Sequence, residues 1–137
     1  MIQRVKAGKT PQWIGDPDAV HSFSYTPDVA RSLAVLGNDP DAWGQVWHAL
    51  THPEPMTGRR FAALACERAD RPVRLKTVPG WLLRVMEWVV LVLRENREMM
   101  YQFTEDYVFD SSKLARAHGL EATGYPEGIR AALAGVE

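Results

Sequence analysis

Apolar and polar residues alternate along some short stretches of the chain and recur at helical spacing along others. Val20-His21-Ser22-Phe23-Ser24-Tyr25 has a period of two, with Val20, Ser22 and Ser24 on one face and His21, Phe23 and Tyr25 on the other. That pattern predicts a strand. Before it, Gln12–Gly15 reads as a short extended piece and Gly15-Asp16-Pro17-Asp18 as a turn. Thr26-Pro27-Asp28 opens a helix: Thr26 can cap it, Pro27 sits where a missing N–H costs nothing, and Asp28 meets the positive end of the dipole. Val29, Leu33 and Leu36 share one face of that helix, and Gly37-Asn38-Asp39-Pro40 stops it.

Further on, Gln45-Val46-Trp47-His48 predicts another short strand. A helix starting at Met56 or Thr57 runs to Arg68 with Phe61, Leu64 and Ala65 inward, and Pro72 closes that unit. Val73–Val78 alternates again and predicts a strand. Pro79 starts an apolar helix. Trp88–Leu93 is β-branched enough for a strand, but its continuity with Arg94–Phe103 favours helix. Val108-Phe109 is a short extended piece, Asp110-Ser111-Ser112-Lys113 a helix start, and Gly119 its stop. A last helix spans about Pro126 to Ala134. Short strands alternating with helices, joined by short gaps, predict one α/β domain over residues 1–137.

Composition narrows the class. A chain of 137 residues with 46% hydrophobic and 24% charged residues is ordinary for a globular domain. It can bury about 68% of the surface it exposes when unfolded, so it needs no disulfide. Its single cysteine, Cys66, could form none internally. Sixteen basic and 17 acidic residues give a net charge of -1. That balance argues against nucleic acid as a partner. Met1–Lys9 is basic without an apolar core, unlike a signal peptide. The most apolar stretch, Trp81–Leu93, carries Arg84 and Glu87 and falls short of the roughly 20 apolar residues a bilayer needs. A cytoplasmic protein with no membrane partner is expected.

Most catalytic signatures are missing. There is no Gly-x-Gly-x-x-Gly, no P-loop and no Cys-x-x-Cys, and no tyrosine has a lysine four residues later. His48 and His52 have the spacing of two zinc ligands on a helix. However, His48 ends an expected strand and Pro53 directly follows His52, which favours satisfied or exposed histidines. Cys66 reads as a buried inert thiol, and Asp110 as a helix cap rather than a catalytic acid. Glu105 and Asp106 read as a solvated turn. Trp81, Trp88, Tyr101 and Phe103 read as core. Arg94, Glu95, Arg97 and Glu98 read as a solvated helix face.

His21-Ser22-Phe23-Ser24-Tyr25-Thr26-Pro27-Asp28-Val29-Ala30 resembles the segment Arg/His-x-Phe-x-Tyr/His-Val-x-Asp-Val-Ala of the NAD-dependent epimerase/dehydratase family, the extended short-chain dehydrogenases. Further matching pieces follow in the family's order. They are Gly15-Asp16-Pro17, Gly44-Gln45-Val46-Trp47-His48, Thr57-Gly58-Arg59, Asp110-Ser111-Ser112-Lys113, His118-Gly119-Leu120 and Glu127-Gly128-Ile129. The resemblance covers Lys9 to Leu133. It implies the C-terminal, substrate-binding part of such an enzyme with the last pieces of its sheet, an α/β fragment of α+β character. The family's glycine-rich NAD loop and catalytic Tyr-x-x-x-Lys belong to the N-terminal half, so a truncated product, a split gene or an expressed C-terminal piece is implied.

What the resemblance implies about the site is limited. No catalytic, cofactor-binding or metal-binding residue carries over, and no cofactor is expected for this chain alone, although NAD is implied for a full-length relative. Substrate contacts are expected at His21, Phe23, Tyr25 and Arg94. Seven residues before the motif's Asp, nucleotide-sugar epimerases commonly carry an Arg that contacts the substrate diphosphate; here that position is His21. An imidazole replaces a bidentate guanidinium poorly, which points to a less charged sugar or small ketone. A histidine at a strand edge is the competing reading. Three hypotheses follow: a non-catalytic substrate-side fragment, a free-standing module that pairs with itself or with a separate NAD-binding half, and a small metal-dependent hydrolase built on His48 and His52. A homodimer is expected, because removal of the nucleotide-binding half would uncover apolar surface.

Overall fold

A computed structural model describes residues 1–78, 99 and 101–135. The expected apolar helix from Pro79, with Trp81, Trp88 and Arg94, lies outside the described residues. The chain folds as a mixed α/β structure of short strands and helices. Its packing divides into two compact units, Met1–His21 with Met56–Tyr107, and Ser22–Pro55 with Val108–Glu137. No helix among the described residues is long and apolar enough to cross a membrane.

The first unit begins with helix α1 (Ile2–Lys6), which buries Val5. Strand β1 (Gln12–Ile14) then pairs in parallel with β4 (Lys76–Val78), setting Trp13 opposite Thr77. Strand β2 (Val20–His21) pairs antiparallel with β3 (Met56–Thr57), and His21 also bridges Tyr107 in parallel. Helix α3 (Gly58–Arg68) starts directly after β3. Its cap is Thr57, whose hydroxyl accepts the Arg60 N–H at 3.1 Å. It buries Ala62, Ala65 and Cys66, while Phe61 and Leu64 are only half-buried. A short helix, α4 (Tyr101–Thr104), leaves Tyr101 and Phe103 exposed, so these two aromatics are not core as expected. Glycine is required at two close approaches. Gly15 sits at φ 82° against the Phe103 carbonyl, and a Cβ on Gly58 would lie 2.5 Å from the Trp13 indole.

The second unit is built on helices α2 (Thr26–Asn38), α5 (Ser112–His118) and α6 (Tyr125–Ala134), with a 3-10 turn at Pro40–Ala42. Its core holds Ala42, Leu50, Leu114, Tyr125 and Ile129. Helix α2 starts where expected, with Pro27 in its first turn, but Tyr25 occupies the cap position and Thr26 is the first helical residue. The predicted Thr26 cap is therefore corrected. The buried face of α2 is polar: Asp28 and Ser32 point inward, while Leu33 is 64% exposed. The predicted strand at Gln45–His48 is absent. Val46 is 83% exposed, and the Trp47 indole donates to the Ala42 carbonyl at 2.9 Å. The α5 helix ends on Gly119 in the left-handed conformation, as expected.

Candidate functional site

The residues expected to face a substrate are divided by the fold. His21 belongs to the first unit and Phe23 and Tyr25 to the second, while Arg94 lies outside the described residues.

In the first unit, His21 is buried and its ring lies 5.3 Å from that of Trp13. The backbone around it is tightly held. The Val20 N–H donates to the Asp106 carboxylate at 2.7 Å, and the Tyr107 N–H donates to the Val20 carbonyl at 2.8 Å. Burial pushes the His21 pKa down, opposed by the negative charges of Asp106 and Asp16. Asp106, read from sequence as part of a solvated turn, instead satisfies a strand N–H. Its only signal in the sequence is its place just before Tyr107.

Of the expected Val20–Tyr25 strand only Val20–His21, in the first unit, is strand, and the residues beyond it, in the second, run on without a ladder. Phe23 meets the Tyr125 ring edge-on at 6.3 Å, and His52 packs against the same ring at 4.5 Å. Burial raises the Tyr125 pKa, a backbone hydrogen bond with Phe23 lowers it, and the charge of Glu54 adds to the rise. Tyr25 packs on α6, with its ring 3.4 Å from where a Cβ on Gly128 would stand. Phe23, His52 and Tyr125 therefore form an aromatic group, and periodicity alone did not foretell the part played by Tyr125.

The two histidines have different partners. His48 Nδ1 lies 2.9 Å from the Asp110 carbonyl and its ring meets Phe109 edge-on, whereas His52 engages the backbone of Glu54. Among the described residues, no group of three His, Cys, Asp or Glu side chains could hold a metal ion. The expected Asp110 cap is corrected: Ser111 holds the cap position of α5, and Asp110 lies one residue before it, its carboxylate accepting the Ser112 N–H at 2.8 Å. That bond holds its pKa below the usual carboxylate value. Cys66 is 1% exposed, the buried thiol that was expected.

No family model and no curated protein matches the chain. Solved structures do. UDP-glucuronic acid 4-epimerase from Bacillus cereus, in complex with NAD, matches 98% of this chain with a TM-score of 0.64 at 13% identity. A provisionally assigned epimerase from Burkholderia cenocepacia J2315 matches 98% with a TM-score of 0.62 at 12% identity. A conserved protein of unknown function from Silicibacter pomeroyi DSS matches 93% with a TM-score of 0.58 at 20% identity. At these identities the likeness is one of fold. The chain spans 37%, 39% and 42% of those proteins, so its fold corresponds to part of each.

Proposed function

We propose that this chain supplies the substrate-binding side of an NAD-dependent epimerase/dehydratase-type enzyme. The cofactor and the hydride chemistry then belong to a separate NAD-binding half. One observation carries this reading: nearly all of the chain superposes on little more than a third of an NAD-bound epimerase. His21, Phe23, Tyr25 and Arg94 are the proposed substrate contacts. The buried His21, an imidazole in place of a bidentate guanidinium, favours a less charged sugar or small ketone over a diphosphate. Amide shifts in the purified chain, titrated separately with glucose and with NAD, test this. Shifts at His21, Phe23 and Tyr25 with the sugar, and none with NAD, are expected. Saturable NAD binding at micromolar concentration, or sugar shifts confined to other segments, overturns it.

A second reading is a self-pairing module on the same scaffold, with a homodimer as its working form. It is favoured by large apolar side chains left in solvent on the second unit: Leu33, Trp43 and Val46 are 64%, 65% and 83% exposed. Light scattering at about 10 µM should then report a dimer, since a standard-sized interface holds at that concentration. A particle of 15.4 kDa rejects it.

A further inference from the structure

Two turns of the first unit bring three cations around one surface cavity. After α1 the chain turns at Gly8, φ 71°, and Lys9 follows with its N–H donating to the Arg4 carbonyl at 2.8 Å. After α3 it turns at Asp70, φ 51°, and Arg71 follows with its N–H donating to the Cys66 carbonyl at 2.9 Å. Both left-handed residues are needed to reverse the chain so sharply. The Arg71 guanidinium lies flat against Gly8, where a Cβ would stand 3.3 Å from both of its terminal nitrogens. Between the turns lies a cavity of about 170 Å³, lined by Lys9, Arg71 and Arg74 together with Thr10 and the buried Cys66.

We infer that this cavity binds a phosphate group. No acidic side chain lines it. Among the described residues, none of its three cations has an ion pair or side-chain hydrogen bond, whereas Arg31 and Arg59 each have a carboxylate partner. The chain as a whole carries a net charge of -1, so this cluster is a local concentration rather than the product of a basic surface. Three like charges on a concave wall focus positive potential, and an anion relieves their mutual repulsion. Two guanidinium forks and one ammonium suit a tetrahedral oxyanion, which accepts bidentate pairs from arginine and a point contact from lysine. The volume accommodates a phosphate with part of what it is attached to. The near-neutral net charge also disfavours a nucleic-acid backbone. The site lies wholly in the first unit and stands apart from the substrate reading above.

Amide chemical shifts of the full chain in low salt, titrated with inorganic phosphate and separately with UDP, test the inference. Saturable shifts at Lys9, Arg71 and Arg74, half-complete at or below about 1 mM, are expected for both probes. Tighter binding of UDP by about tenfold or more identifies a nucleoside diphosphate as the source, and equal binding identifies free phosphate. Arg71→Gln, and separately the double variant Lys9→Gln/Arg74→Gln, should each weaken binding by about tenfold or more. Two variants are used so that loss of fold in one leaves the other decisive. Equal shifts from chloride at matched ionic strength, shifts retained in both variants, or tighter binding of duplex DNA than of either probe would overturn the site.

Discussion

The Asp28 carboxylate accepts both the main-chain N–H and the hydroxyl of Thr123, at 2.7 and 3.0 Å, across 95 residues of sequence. It also pairs with Arg31 at 3.0 Å, and Arg31 reaches on to the Glu121 carbonyl. At 4% exposure this acid ties the start of α2 to the segment leading into α6. Its place in a helix first turn would be filled as well by a surface residue. What distinguishes it is burial together with three donors, the Thr123 N–H and hydroxyl and the Arg31 guanidinium.

Removing that carboxylate strands the Thr123 N–H. Asp28→Ala should cost about 2–3 kcal/mol, the range for hydrogen bonds to a charged group. Thr123→Val, which loses one hydroxyl donor, should cost about 1 kcal/mol. Urea unfolding of both variants checks the ranking. Equal losses would mean that the backbone contact contributes nothing.

The two candidate helix caps should behave differently. Thr57 holds the Arg60 N–H, so Thr57→Ala should cost about 1 kcal/mol. Thr26 is exposed, lies inside α2 and makes no cap bond, so Thr26→Ala should fall within about 0.5 kcal/mol of the parent. Thermal melts compare them directly.

Three glycines give a graded series. Gly44, at φ 72° with open space around it, should lose only the roughly 1–2 kcal/mol of left-handed backbone on change to Ala. Gly15→Ala adds a collision with the Phe103 backbone to the same backbone cost, and should lose clearly more. Gly58→Ala has no such backbone cost but drives a methyl into the Trp13 ring. A blue- or red-shifted tryptophan emission in that variant alone would report the displaced indole.

Acid should weaken the fold in two separate windows. Burial holds His21 below its ordinary 6.5, so the unfolded chain takes up a proton first as pH falls. The stability present above 6.5 is then lost progressively below it, until the folded imidazole also titrates. Asp18, held low chiefly by its hydrogen bond from Arg59, and Asp110, held low by the Ser112 N–H, act further down. Their stabilisation is present above 3.8 and disappears as pH falls through their folded values. Melting temperature against pH should show both descents. His21→Gln should flatten only the upper one, and Arg59→Gln should reduce the lower.

Helices were far more legible than strands, for a physical reason. Pro27, the stop after Leu36, Thr57 and Gly119 are local signals, because a helix satisfies its own backbone and only its ends need instruction. A strand needs a neighbour. Val20–Tyr25 alternates throughout, yet its partner β3 offers only Met56 and Thr57, so pairing ends at His21. Beyond it, the Ser22 hydroxyl accepts the Phe109 N–H at 3.0 Å, a side chain doing what a ladder would do. Gln45–His48, also expected as a strand, finds no partner strand among the described residues. Nothing local marks Ser32 for burial on α2, because one of its partners lies far away: its hydroxyl donates to the Asp28 carbonyl and accepts the Leu50 N–H. The same holds for the site. His21 was chosen from a motif, but its neighbours Trp13, Asp106 and Tyr107 are brought to it by tertiary structure. Lys9, Arg71 and Arg74 share no local pattern at all.

The division of the chain also governs the order in which it can be made. Each unit is assembled from two separated stretches, and the chain passes from one to the other three times, after His21, Pro55 and Tyr107. During synthesis the first unit waits for Tyr107 to emerge before His21 can gain its bridge. By then the middle of the second unit has long been outside the ribosome without its closing helices. Helix α2 must therefore spend that interval with Asp28 lacking Thr123, a carboxylate in water rather than in a core. The clasp between Asp28 and Thr123 closes only when the last stretch arrives.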